Sequence, residues 1–97
     1  MKIRILESAK QDLLDGYSFY EKQGEGLGEY FISTLFSDIE SLRLYAGVHQ
    51  VIFGFHRLLS KRFPYAIYYK IEGDEVIVYA VLDCRRDPKK TEKRLKS

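Results

Sequence analysis

The stretch YAIYYKIEGDEVIVYAVL, Tyr65 to Leu82, decides the fold. In its first half Tyr65, Ile67, Tyr69 and Ile71 fall on one side and Ala66, Tyr68 and Lys70 on the other, the period-2 pattern of a strand. Gly73-Asp74 then supplies a residue pair suited to a tight hairpin. From Glu75 to Leu82 both sides are apolar, Val76, Val78, Ala80 and Leu82 against Ile77, Tyr79 and Val81, so this strand is expected at the buried centre of a sheet. Upstream, Phe55 to Arg62 alternates as a further strand, with Arg57, Leu59 and Lys61 on one face and His56, Leu58, Ser60 and Arg62 on the other. Pro64 stops that strand because it has no N–H to give to a ladder.

Towards the N-terminus the period lengthens. Lys2 to Glu7 alternates charged and apolar residues as a first strand, and Ser8 with Gln11 has the spacing of a capping box, which predicts a helix beginning there. Ala9, Leu13, Tyr17 and Tyr20 form its apolar stripe, Lys10, Asp12, Asp15 and Glu21 its wet face, and Gly16 weakens it slightly. Gly24, Gly26 and Gly28 follow a helix and precede no Gly-Lys-Ser/Thr, so they read as a helix-to-helix turn and not as a phosphate loop. A second helix is expected from about Leu27 to Tyr45 on the stripe Leu27, Phe31, Leu35, Ile39 and Leu42, and the two make an antiparallel hairpin. At the other end Asp87-Pro88 offers an N-cap and an N1 proline for a short helix. The element order is strand, two helices, three strands and a helical tail, an α+β domain over residues 1–97 with a mostly antiparallel sheet of about four strands.

Ninety-seven residues with 45% hydrophobic content suit one small packed domain and not a disordered tail. One cysteine, Cys84, excludes an internal disulfide or a Cys-rich zinc site, and the two histidines, His49 and His56, add little ligand capacity; no metal or cofactor is expected. A reducing cytoplasmic setting is expected. The first apolar stretch, Ile3 to Leu6, contains Arg4 and resembles no signal peptide, and no apolar run approaches the roughly 20 residues of a membrane span. Net charge is +2, unevenly spread: Cys84 to Ser97 holds seven basic and two acidic residues, +5, leaving nine basic and 12 acidic residues in the body, −3. Such a tail suits an acidic partner or a phosphate backbone, and equally serves solubility.

No catalytic constellation shows itself by spacing. Asp12 with Asp15, and Asp38 with Glu40, lie on wet helix faces and read as solvated surface; Ser60 and Cys84 lack the partners that activate a nucleophile. What stands out is a cationic set: Arg57, Lys61 and Arg62 with His56 on one strand, Lys70 on the next, Arg85 and Arg86 at the exit of the last. Interleaved Tyr65, Tyr68 and Tyr79 would let part of it hold nucleic acid by phosphate contact and stacking. Strand cations also guard sheet edges, which is the better account of Lys61 and Lys70, whereas Arg85 and Arg86 are better read as ligand contacts. The helices carry more large apolar residues (Phe19, Tyr20, Tyr30, Phe36, Tyr45) than a small sheet covers, which predicts a partner.

The start KIRILESAKQDLLDGYSFY, the strand pair FPYAIYYKIEGDEVIVYAVLDCRRDP with its Pro64, Tyr65, Ile67 and Tyr69, the Arg85-Arg86-Asp87-Pro88 exit and the short basic end resemble the RelE/ParE superfamily of bacterial toxin–antitoxin toxins over essentially the whole chain. The resemblance implies a helical hairpin packed on a twisted antiparallel sheet and an antitoxin that wraps it; the surplus apolar residues of the helices then make Tyr20, Tyr30 and Phe36 the expected antitoxin contacts. RelE-like members cut mRNA in the ribosome. Here Ala66 stands where they usually carry arginine, Asp83 where many carry histidine, and no His-Tyr follows Cys84, so the cations and proton carriers that such cleavage needs are depleted. ParE-like members poison DNA gyrase and need a surface, which the +5 tail fits. The ParE-like reading is therefore preferred, with Arg85 and Arg86 on the target, supported by Lys89, Lys90 and Arg57, and with Lys61 and Arg62 as further cations. The alternatives are a ribosome-dependent mRNA interferase with a rearranged site, with catalytic residues unknown, and an inert module that binds antitoxin and, as the complex, operator DNA.

Overall fold

In the computed structural model, which describes residues Met1 to Ser97, the chain runs β1 (Lys2–Ile5), α1 (Glu7–Glu21), α2 (Leu27–Glu40), α3 (Leu42–Tyr45), β2 (Val51–Ile52), β3 (Phe55–Leu59), β4 (Tyr65–Glu72), β5 (Glu75–Asp83) and α4 (Pro88–Lys96). The sheet order is β1-β5-β4-β3-β2. β1 runs parallel to β5, with Ile3 opposite Val76, and every other pair is antiparallel. The sheet thus has five strands where about four were expected. The additional one, β2, is two residues long and turns back through Phe53 and Gly54, both at positive φ (54° and 83°). A bulky residue in that conformation is not a turn signal that a sequence offers.

The helical hairpin covers one sheet face. Leu13, Phe31 and Leu35 pack there on Tyr65, Ile67 and Tyr69, all buried. The opposite face carries a smaller cluster of Phe55, Ala66, Tyr68, Ala80, Leu82 and Leu95, the last contributed by α4. β4 divides its side chains between the faces as its alternation predicts. β5 does not: Tyr68 pairs with Ala80 and Tyr69 with Val78, so Tyr79 is an extra, unpaired residue. This bulge turns Val81 toward the helices beside Val76 and Val78, and Ala80 and Leu82 to the other face. The expected sharing of one side by Val76, Val78, Ala80 and Leu82 is corrected accordingly.

Local chemistry sets the helix ends. β1 passes into α1 without a spacer, Leu6 N–H donating to the Val78 carbonyl, so the N-cap is Leu6 and the predicted capping box does not form. The Ser8 hydroxyl reaches the Tyr79 carbonyl at 3.5 Å, and Gln11 donates to Asp15 at 2.9 Å. Between the helices, Gly26 adopts φ +85° and the Glu21 carboxylate accepts the N–H groups of Gly26 (3.2 Å) and Gly28 (2.9 Å), which makes the glycine stretch a turn. The expected single helix to Tyr45 is divided at Ser41, whose hydroxyl donates to the Asp38 carbonyl at 2.6 Å and competes with the backbone ladder. The Asp87 carboxylate caps α4 by accepting the Lys89 N–H at 2.9 Å, and Pro88 takes the first helical position, as predicted.

Candidate functional site

The sheet face away from the hairpin carries the unbalanced charge. Alternation in β3 places Arg57 opposite Tyr68, on the side where only α4 gives cover. There Arg57, Tyr68, Cys84 and Arg86 line a cleft of about 160 Å³ closed by Ile52 and Phe53 of the β2–β3 hairpin and by Pro88 and Thr91 of α4. Arg57 Nε is buried and has no hydrogen-bond partner, and neither Arg57 nor Arg86 lies within ion-pair distance of a carboxylate. Burial pushes the Tyr68 hydroxyl above the ordinary tyrosine range, with Arg57 and Arg86 opposing the rise, and burial likewise pushes the Cys84 thiol up, against Arg57. Both groups therefore stay protonated near neutral pH, and the cleft offers cations and hydrogen-bond donors for holding an anion, with no group poised to accept a proton. Further along the same face Lys70 Nζ stands 4.5 Å from the centre of the Phe55 ring and 5.6 Å from that of Tyr79, a cation over aromatics.

The seven tail cations separate into two kinds. Arg85 turns back on Asp83 with Nε to Oδ1 at 3.0 Å and Nη2 to Oδ2 at 2.7 Å, which raises its own pKa and holds the Asp83 carboxyl below its usual range. Arg94 makes a two-pronged contact to Asp12 at 2.8 and 2.7 Å, and Asp12 also accepts the Val81 N–H at 3.0 Å. Asp12 was expected in solvent, yet its side chain is only 10% exposed, held between the Arg94 guanidinium of α4 and the Val81 N–H of β5. Lys96 pairs with Glu92 at 2.7 Å. Arg86, Lys89, Lys90 and Lys93 are exposed and unpaired. Neighbouring Arg85 and Arg86 thus differ in availability, a distinction that no spacing rule reveals.

On the hairpin side the imidazoles are engaged. His56 stacks on the Tyr69 ring at 5.0 Å and its Nδ1 meets the His49 carbonyl at 2.9 Å, while His49 Nδ1 and the Gly47 N–H both bond to the Tyr69 hydroxyl. His56 and Arg57 therefore point to opposite sides of the sheet. Lys61 and Arg62 lie beside α2, with Arg62 donating to the Tyr30 hydroxyl at 2.8 Å, and line a cleft with Ser33, Thr34 and Asp38. Of the three aromatics assigned to a partner, Tyr20 is half-buried, its ring against Phe31 (5.2 Å) and Phe63 (4.8 Å). Tyr30 and Phe36 are each 44% exposed. Phe36 closes an apolar groove of about 420 Å³ with Leu13, Leu14, Tyr17 and Ile32, rimmed by Lys10. Tyr65, read as part of the cationic surface, faces the hairpin instead, its hydroxyl pushed up to about 12 by burial.

No three His, Cys, Asp or Glu side chains converge to hold a metal ion, and no helix is long and apolar enough to cross a membrane. Residues 3–88 match the family model described as "ParE toxin of type II toxin-antitoxin system, parDE"; most of α4 lies beyond the match. Among solved structures the chain is similar to one titled "Chromosomal ParDE TA system from P. aeruginosa", with a TM-score of 0.76 and 19% identity over 84% of this chain and 92% of that one. No curated protein sequence matches it.

Proposed function

The chain belongs to the ParE toxin family of type II toxin–antitoxin systems, and on that premise we propose that it acts by binding DNA gyrase through Arg57, Arg86, Lys89 and Lys90. It is a ParE-like toxin, and its partner is a cognate antitoxin. The observation that supports the binding surface is the run of cations without carboxylate partners from Arg57 across the cleft to Arg86 and the start of α4. Charge of one sign on an exposed face steers association with an acidic protein surface or with enzyme-bound DNA, and it requires no catalytic geometry. Arg85 is assigned a smaller share, because Asp83 already neutralises it. The engagement of both imidazoles on the other sheet face argues against an mRNA cut that would need an acid or base beside Arg57.

For the antitoxin we propose an amphipathic segment laid in the groove between α1 and α2, on Leu14, Tyr17, Ile32 and Phe36, with Tyr30, Lys61 and Arg62 at its end and Tyr20 as support from beneath. The complex, and not the free toxin, would then meet operator DNA.

The test pairs induced expression with a supercoiling assay. Wild-type toxin is expected to block gyrase and cause filamentation with an SOS response. Arg57→Glu with Arg86→Glu should abolish both while leaving the melting curve near wild type, and Arg85→Ala should keep most of the activity. A double variant that folds and stays fully toxic overturns the assignment. Codon-positioned mRNA cuts with intact supercoiling would move the target to the ribosome, and unimpaired growth with the wild type would leave an antitoxin-binding module.

A further inference from the structure

We infer that the cleft between β3, β5 and α4 is a subsite for a single phosphate group, held by Arg57 and Arg86. Two arginines line one small concavity with no carboxylate in its lining and none within ion-pair distance of either, and one presents a buried Nε whose hydrogen bond goes unmade. Like charges gathered in a half-buried space repel each other, and an orphaned guanidinium donor is costly, so the arrangement is stabilised when an anion with several acceptor oxygens enters. Guanidinium forks match the oxygens of a phosphate two at a time, which an exposed lysine does not do. The Tyr68 hydroxyl, kept protonated by its burial, and the buried Thr91 beside it add polar groups to the lining. At about 160 Å³ the space far exceeds the roughly 10–15 Å³ that admits one water.

The α4 N-terminus is not the binding element, since the Asp87 carboxylate already accepts its Lys89 N–H. Part of the wall is furnished by Phe53, 38% exposed and held at φ 54°, a conformation that strains a bulky residue. A phosphate attached to a nucleotide would carry its sugar or base against the Phe53 ring. The inference shares Arg57 and Arg86 with the proposed gyrase surface, and its test uses no gyrase, so phosphate binding by a toxin that spares gyrase would separate the two.

Cys84 lines the same cleft, is exposed, and is the chain's one thiol, which makes it a built-in reporter. The experiment follows its modification by a thiol reagent while inorganic phosphate replaces chloride at constant ionic strength, and repeats it with a nucleoside 5′-monophosphate and with the same nucleoside carrying no phosphate. Saturable slowing by inorganic phosphate is expected. Arg57→Met and Arg86→Met should each weaken it about tenfold or more, whereas Arg85→Met should leave it unchanged. Protection by the nucleoside 5′-monophosphate at lower concentration identifies a nucleotide phosphate as the source, and protection by inorganic phosphate alone identifies the free ion; either result supports the subsite. Absence of saturation in the wild type, equal protection in the arginine variants, or equal protection by the nucleoside without phosphate overturns it.

Discussion

A β-carbon at Gly16 would lie 2.5 Å from two atoms of the Phe31 ring, which is fully buried and has no free side to move to. Gly16→Ala is therefore expected to destabilise the toxin by about 1–3 kcal/mol through overpacking, although alanine is about 1 kcal/mol the better helix former. A denaturant titration that finds the variant more stable would show that the ring yields. Spacing along α1 exposes only the propensity cost of Gly16, because its cause sits on α2. The same limit applies to His49, whose bonding to Tyr69 across β4 is invisible in sequence. Burial lowers the His49 pKa, with His56 adding to the effect. The folded state thus resists a proton that the unfolded chain accepts below about pH 6.5, so stability holds above that pH and falls as pH drops through it. Melting temperatures measured across mildly acidic pH should show the fall, and His49→Gln should flatten it.

At the scale of elements, α4 is fixed to the domain by Thr91 and Leu95, both buried, and by the Arg94–Asp12 contact. Asp12→Ala leaves the guanidinium and the Val81 N–H without their acceptor and is expected to cost about 2 kcal/mol. Limited proteolysis should then cut near Asp87 well before the rest of the domain opens; an unchanged cleavage pattern would mean that Leu95 alone holds the helix. Elements with local signals were legible: the alternation of β4, the Gly73-Asp74 hairpin, the Asp87-Pro88 start of α4. Those made by distant partners were not. β2 is too short to carry a pattern, the Tyr79 bulge reverses the facing of β5 partway along, and the Asp12–Arg94 contact joins residues 82 positions apart. For that reason the basic exit at Arg85 and Arg86 could be located from its charge, while its division into a neutralised and a free arginine required the fold.

The whole molecule presents two unlike surfaces on opposite sides of one sheet, a cationic cleft where only α4 shields the strands and an apolar groove over the hairpin. Leu14 is 58% exposed and Phe36 44%, and both gain by being covered. A small domain has little core to spare, so a partner that covers this groove contributes directly to the stability of the folded state. At a free antitoxin concentration about 100 times the dissociation constant the linkage amounts to about 2.7 kcal/mol, which for a domain of this size raises the melting temperature by roughly 10–20 °C. Differential scanning fluorimetry with increasing antitoxin checks the magnitude. Leu14→Ser with Phe36→Ser should abolish most of the increment by weakening association, and Arg57→Met with Arg86→Met should preserve it, because the cleft lies on the other face. An increment lost on mutating the cleft and kept on mutating the groove would place the antitoxin on the cationic face and make neutralisation a matter of direct competition for the target surface.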